Sequence, residues 1–191
     1  MHILLLSGRS RSGKDAVATA LVETLGAHSF AIATALKRDV ANATGLSFEI
    51  FNDVRKDRPI NGLTQTPRDL LLAHARIARA ADRDVYSSST CARIEDAMRL
   101  HAVDLFVICD WRYKCEADYF ATRFPEATLC RVRIVRPGLV PLASLESEVS
   151  EHDLDDVRMD IILQNEGTLA DLHANAVLAV REHIVPLTRK A

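Results

Sequence analysis

Residues 3–15 read ILLLSGRSRSGKD, and no other stretch constrains the chain as tightly. Four apolar residues, Ile3 to Leu6, run directly into a loop bracketed by Gly8 and Gly13, after which Lys14 opens a helical pattern. A strand, a loop of the form G-x-x-x-x-G-K and a helix together form the signature of a phosphate-binding loop. Gly8 lets the chain leave the strand sharply, and Gly13 lets backbone approach phosphate oxygens. The loop N–H groups and the positive end of the following helix both favour an anion. Gly8, Arg9, Ser10, Arg11, Ser12, Gly13, Lys14 and Asp15 are therefore the expected nucleotide-binding residues, with Lys14 across the β- and γ-phosphates. The competing reading is a chance loop rich in Gly, Ser and Arg, and the strand–loop–helix context weighs against it.

A chain of 191 residues suits one domain, and 48% hydrophobic content supports an ordinary core rather than disorder. The net charge of −2 excludes a polycation, so any attraction to nucleic acid has to come from a local patch. No apolar run approaches the roughly 20 residues of a membrane helix, so no membrane partner is expected. The opening MHILLLSG lacks a basic n-region and reads as a first core strand rather than a signal peptide, which points to the cytoplasm. Cys91, Cys109, Cys115 and Cys130 form no CxxC pair and fit buried reduced thiols. The seven histidines contain no HExxH, so no structural metal site is expected.

Strand patterns occupy 2–7, 103–109, 128–135 and 158–163, with a weaker one at 28–32. Helical patterns fill 14–25, 33–44, 67–82, 89–101, 114–123 and 168–183. Alternation of this kind predicts an α/β fold with a parallel sheet covered on both faces. Thr66-Pro67 reads as a helix cap followed by proline in the first turn, and Thr168 can cap the last helix. Residues 52–66 and 137–152 stand outside the alternation. Both are long enough to be functional loops, and ligands of open α/β sheets bind where loops leave the carboxyl ends of strands.

Asp15 stands where most phosphate-binding loops carry Ser or Thr to hold Mg²⁺, and a carboxylate can do this directly or through water. Arg9 and Arg11 can offset its charge, or can be solvated loop residues. The run VDLFVICDWRY is an apolar strand ending in Asp110, a second candidate for the ion, and Arg112 projects beyond it toward a transferring phosphoryl group. A surface Asp/Arg pair is the plain alternative. Trp111 reads as packing, with a base-stacking platform as the other option. Arg131 and Arg133 share one face of the next strand, which is unusual in a buried sheet. Arg136 opens the 137–152 segment and reads as a lid arginine closing over ATP, with a surface role as the alternative.

With these residues in hand, the chain resembles two related families of small P-loop kinases. They are the bacteriophage deoxynucleoside monophosphate kinases and the animal-type phosphomevalonate kinases. The resemblance runs through LSGRSRSGKD, ICDWRY, RIVRPG, Ser150-Glu151 and DIILQNEGTLADL, in order along nearly the whole chain. It implies a single P-loop kinase domain over 1–191 of the nucleoside monophosphate kinase type. The expected architecture is a five-stranded parallel sheet with helices on both faces, an acceptor segment at about 52–90 and a mobile lid at about 136–152. It also implies that Asn165, Gly167 and Thr168 lie near the adenine and that Ser150-Glu151 is a hydroxyl–acid pair of the lid. TPRDLL matches the family's helix start, but the continuation LAHARIARAADRDVYSSSTCARI lacks the glycine-threonine-acid and tryptophan elements of the phage monophosphate kinases. A phage-encoded sister group phosphorylates the hydroxymethyl group of 5-hydroxymethyluracil already within DNA.

The acceptor segment is basic. Between residues 55 and 83, Arg55, Lys56, Arg58, Arg68, Arg76, Arg79 and Arg83 face only Asp57, Asp69 and Asp82. Such a patch suits a polyanion, or one phosphate monoester, or a solvated helix with ion pairs. A 5-substituent on a thymine-like base projects into the major groove and can be approached there or after base flipping. The expectation is therefore an ATP- and Mg²⁺-dependent kinase acting on 5-hydroxymethyluracil in DNA, a step toward thymine hypermodification in a phage genome. Such an enzyme works in the host cytoplasm. The alternative is transfer to a free deoxynucleoside monophosphate. Phosphomevalonate is disfavoured because TPRDLL and RPG resemble the phage enzymes, and a nucleotide-binding protein without turnover is disfavoured by Lys14, Asp110 and Arg112. Asp110 can accept the hydroxyl proton, with Asp84 as a rival.

Overall fold

The computed structural model describes residues 1–52, 54–60, 62, 64–140, 145 and 147–188; the side chains of residues 54, 55 and 185–188 lie outside that description. Arg55 of the basic segment and Glu146 of the expected lid therefore fall outside the described side chains.

Five strands, β1 (His2–Ser7), β2 (His28–Phe30), β3 (Leu105–Ile108), β4 (Thr128–Val135) and β5 (Ile161–Gln164), form one sheet in the order β2-β3-β1-β4-β5. Every described pairing is parallel. β1 lies in the middle, with Leu5 opposite Ile108 on one side and Arg131 on the other. Its continuous apolar run follows from burial on both faces. Leu4 and Leu6 pack with helices α1 (Lys14–Leu25) and α7 (Leu169–Thr188) through Val17, Leu21, Leu172 and Val180. Ile3 and Leu5 face the other way, onto α4 (Val85–Leu100) and α5 (Lys114–Arg123) through Ile94, Ala117 and Phe120.

Helices α2 (Ala33–Thr44) and α3 (Pro67–Ala81) pack against each other beside this second layer. Thr66 caps α3 reciprocally with Asp69, and Thr168 does the same for α7 with Asp171. A four-residue helix, α6 (Val149–His152), lies in the 137–152 segment, and short 3₁₀ turns occupy 48–51 and 54–57. No helix among the described residues is long and apolar enough to cross a membrane.

Several sequence-based boundaries move: β2 stops at Phe30 rather than 32, and α7 runs on to Thr188 rather than 183. Helix α4 begins at Val85 rather than 89, because Tyr86 and Ser87 are sealed in the core despite a Ser-rich start of low helix propensity. Strand β3 is shorter than 103–109, covering 105–108. Strand β5 covers 161–164 rather than 158–163. Asp160 closes the ladder instead, exchanging bonds with the Arg131 backbone at 2.7 and 2.9 Å, while Val157 and Met159 pack onto the core from a loop.

Candidate active site

The loop after β1 is held by its glycines. Gly8 has φ 142°, and a Cβ there would lie 2.4 Å from the Ile134 carbonyl oxygen. Gly13 has φ 108°, and a Cβ there would lie 2.8 Å from Asn165 Nδ2. Only glycine combines these conformations with such close approach. Arg11, at φ 66°, is a non-glycine residue in the left-handed region, which costs on the order of 1 kcal/mol. Ser12 is buried, and its amide donates to the Arg9 carbonyl at 3.1 Å.

Lys14, in the first turn of α1, is only 8% exposed. Its ammonium donates to the carbonyls of Gly8 (2.8 Å) and Arg9 (2.9 Å). Burial, and then the charge of Arg112, push Lys14 down to about 8, against the pull of Glu151, Asp15 and Asp110. Asp15, one position on, is exposed.

Asp110 sits at the carboxyl end of β3. Its two oxygens accept from the Ile32 amide (2.7 Å) and the Ala33 amide (2.9 Å), so the same carboxylate satisfies free N–H groups at the start of α2. Mg²⁺ keeps several waters and takes one or two carboxylates alongside substrate phosphates. Asp15 and Asp110 fit that requirement as a donor set, Asp15 with free oxygens and Asp110 through its remaining lone pairs. Among the described residues, no group of three His, Cys, Asp or Glu side chains is placed to hold a metal.

Arg112 reaches back over the loop. Its Nη1 lies 3.3 Å from the Gly8 carbonyl and 2.6 Å from Glu151 Oε1. Arg9 donates to the Glu151 carbonyl and pairs with Asp155 at 3.0 Å, with His152 Nδ1 3.3 Å away. Arg133, on the same face as Leu5 and Ser7, bonds the Leu154 carbonyl, which explains an arginine inside the sheet: it holds the chain that follows α6. These groups enclose a cavity of about 230 Å³ that Arg136 also lines, with Trp111 and Ile134 among its apolar walls. Trp111 itself is fully buried and donates to the Tyr113 carbonyl at 2.8 Å, which makes it a packing residue.

Asn165 lies against the loop, its Nδ2 donating to the Ser12 carbonyl at 2.9 Å. Gly167 and Thr168 form the turn into α7, where a Cβ on Gly167 would meet Asp171 at 2.7 Å. Gly8 to Asp15, Asp110, Arg112, Arg136 and Asn165 thus gather at the carboxyl ends of the strands, where this class of sheet binds ligands.

The basic segment does not form one continuous face. Arg68 pairs with Asp57, and Arg76 pairs with Glu148, which directly precedes α6. Arg79 turns inward: its Nη2 is 2.7 Å from Glu116, and its guanidinium lies 4.3 Å from the Tyr113 ring centroid. Glu116 is buried and also accepts from the Arg112 amide (2.9 Å) and the Tyr113 amide (3.1 Å). Arg58 and Arg83 point outward, Arg83 3.6 Å from Asp84 at the start of α4. Sequence reasoning missed Glu116 as the support of Arg112. The available signal was an acid at the third position of the helix that follows D-W-R. It also missed Lys37 on α2, whose ammonium bonds Asn52 at 2.7 Å. Burial, and then the charges of Arg68 and Lys37, hold the Lys56 ammonium below its ordinary range, against the pull of Asp57 and Asp15.

No protein-family model matches the chain, and no curated protein is significantly similar to it. Solved structures share its architecture. A gluconokinase from Sinorhizobium meliloti 1021 matches over 100% of this chain and 97% of its own, with a TM-score of 0.55 at 14% identity. A dephospho-CoA kinase from Campylobacter jejuni covers 95% and 96%, with a TM-score of 0.51 at 13% identity. A sugar kinase from Janibacter sp. HTCC2649 covers 94% of each chain, with a TM-score of 0.51 at 13% identity. Together with the all-parallel five-stranded sheet and the loop after its central strand, these similarities give the chain the α/β fold of the P-loop kinases.

Proposed function

We propose that the protein is an ATP-dependent phosphotransferase whose acceptor is the hydroxymethyl group of 5-hydroxymethyluracil in DNA. The observation that carries the kinase reading is the convergence of Lys14 and Arg112 on the Gly8 carbonyl, at 2.8 and 3.3 Å, over a glycine-bracketed loop. Two cations and a row of loop amides there suit the terminal phosphates of a nucleotide. Asp15 and Asp110 would hold Mg²⁺, which when bound neutralises charge on the β- and γ-phosphates. Arg112, with Arg136 at the cavity wall, offsets charge on the transferring group. The acceptor oxygen bonds to the γ-phosphorus in line as the bond to the β-bridging oxygen breaks, and the acceptor proton passes to a carboxylate or water. Positioning and electrostatics account for such catalysis, so no nucleophilic side chain is needed.

The DNA acceptor is favoured by the missing mononucleotide elements after TPRDLL and by the outward Arg58 and Arg83, with the exposed Arg76 held by Glu148 beside them. A free deoxynucleoside monophosphate is the second reading, and Lys56 favours it, because a part-buried ammonium that feels the charges of Arg68 and Lys37 would gain from a single phosphate. The test is transfer of label from γ-³²P ATP to hydroxymethyluracil-containing DNA, to each deoxynucleoside monophosphate and to phosphomevalonate. Label in the modified DNA supports the proposal; label only in a free monophosphate replaces it with the second reading.

A further inference from the structure

We propose that Glu151 is a built-in stand-in for a phosphoryl group: its carboxylate engages the phosphate-binding loop and Arg112, and a phosphate chain has to displace it to enter. The inference rests on the donor-site reading above. The Glu151 side chain is only 8% exposed, so its charge has to be met by donors. Those it has are Arg112 Nη1 at 2.6 Å and the Ser10 amide at 3.4 Å, while Arg9 holds its backbone carbonyl. One is a loop N–H, and the others are the guanidinium groups flanking it. They are the donors a terminal phosphate would use.

The charge layout of the cavity points the same way. The loop, the end of β3 and β4 contribute Arg9, Arg112 and Arg133, and Arg136 follows directly after β4. Both carboxylates in its walls, Glu151 and Asp155, come from the segment that carries α6. A cationic half is thus closed by an acidic strap. Lys14 spends its bonds on the Gly8 and Arg9 carbonyls, and the loop bond at Ser10 is long, so the carboxylate is held chiefly by Arg112. A polyphosphate carries more charge and more acceptor oxygens than one carboxylate, and it can take over these donors while releasing the strap.

Occupancy of a site by an internal competitor lowers apparent ligand affinity by the fraction of molecules in which the site is free. If the docked form outweighs the released form about tenfold, removing the competitor strengthens binding about tenfold. Glu151→Gln keeps size and shape and removes the charge; Glu151→Ala removes the group. The probe is magnesium pyrophosphate, titrated calorimetrically into the full chain, with thermal unfolding of the ligand-free protein in parallel. The expected result is that both variants bind pyrophosphate about tenfold more tightly while melting at a lower temperature than the wild type. A purely structural Glu151 would lower melting temperature and leave affinity unchanged or weaker, which overturns the proposal. A wild type that transfers phosphoryl groups, with no affinity gain in either variant, removes the stand-in role and leaves the donor site standing. Pyrophosphate binding that is absent from every variant, or unaffected by Lys14→Ala, removes both.

Discussion

Arg79 leaves the basic face of α3 and reaches Glu116 at 2.7 Å, where the buried carboxylate also receives the backbone amides of Arg112 and Tyr113. One ion pair thus ties α3 to the backbone that carries Arg112. Arg79→Ala would strand a buried carboxylate, and breaking such a pair costs about 3 kcal/mol or more. Chemical denaturation should show a loss of that order, with the fall in phosphoryl transfer matched by Glu116→Ala. The salt dependence of DNA binding should not change. A variant of wild-type stability with a flattened salt slope would place Arg79 on the acceptor surface instead.

The Lys14 ammonium is held down to about 8 by burial and by Arg112, against an ordinary value of 10.5. Between those values the unfolded chain binds more protons at this position than the folded one. The group therefore costs stability in full below about pH 8, on the order of 3 kcal/mol, and the cost is relieved as pH rises toward 10.5. A phosphate chain favours the charged form, so nucleotide binding above pH 8 should take up a proton. Calorimetry at pH 8.5 in buffers of different ionisation enthalpy should detect that uptake in the wild type and not in Lys14→Met. Lys14→Ala should reduce turnover at least ~100-fold, since it removes a charge aimed at the transferring group. Near-normal turnover would remove Lys14 from the donor site.

Asp110 holds the start of α2, and on the proposed function it also serves the nucleotide. Asp110→Asn keeps one acceptor oxygen and turns the other position into a donor facing an amide. The expected loss is about 1–3 kcal/mol of stability together with a higher Mg²⁺ requirement. Asp15→Asn, on an exposed side chain, should raise the Mg²⁺ requirement with little change in stability. Thermal unfolding and Mg²⁺ titrations of activity on both variants separate the two roles. Equal stability losses would contradict them.

The exposed arginines, Arg58, Arg83 and the Glu148-paired Arg76, are the ones a DNA acceptor would meet. Replacing Arg58, Arg76 and Arg83 with Gln should weaken binding and flatten its logarithmic salt dependence, by roughly 0.9 for each phosphate no longer neutralised. Lys56→Ala should instead raise the acceptor KM when that acceptor is a free monophosphate. An unchanged salt slope in the triple variant would exclude a DNA-facing patch there.

Local sequence carried the donor half well. The glycines, Lys14 and the apolar run before them lie within one strand–loop–helix unit, so short-range patterning sets the element bounds there. Pairings between distant parts of the chain were not legible. Asp110 looks like a free strand-end acid in ICDWRY, yet it caps a helix start that lies 77–78 residues earlier. Arg79 matches its neighbours in charge, and only the tertiary position of Glu116 turns it inward. Arg133 is anomalous in a buried strand until the Leu154 carbonyl and the Asp155 carboxylate are placed beside it. The Ser-rich start of α4 hides a helix turn because packing of Tyr86 overrides weak local propensity.

The central claim is that the loop after β1 grips the terminal phosphates of a nucleotide for transfer. A crystal structure with Mg²⁺ and a non-hydrolysable ATP analogue tests it most directly. The β- and γ-phosphates should lie against the amides of residues 9–14, with Lys14 Nζ turned from the Gly8 and Arg9 carbonyls onto them, Arg112 beside the γ-phosphate and Glu151 displaced. A nucleotide bound elsewhere, with Lys14 still on those carbonyls, would contradict the account.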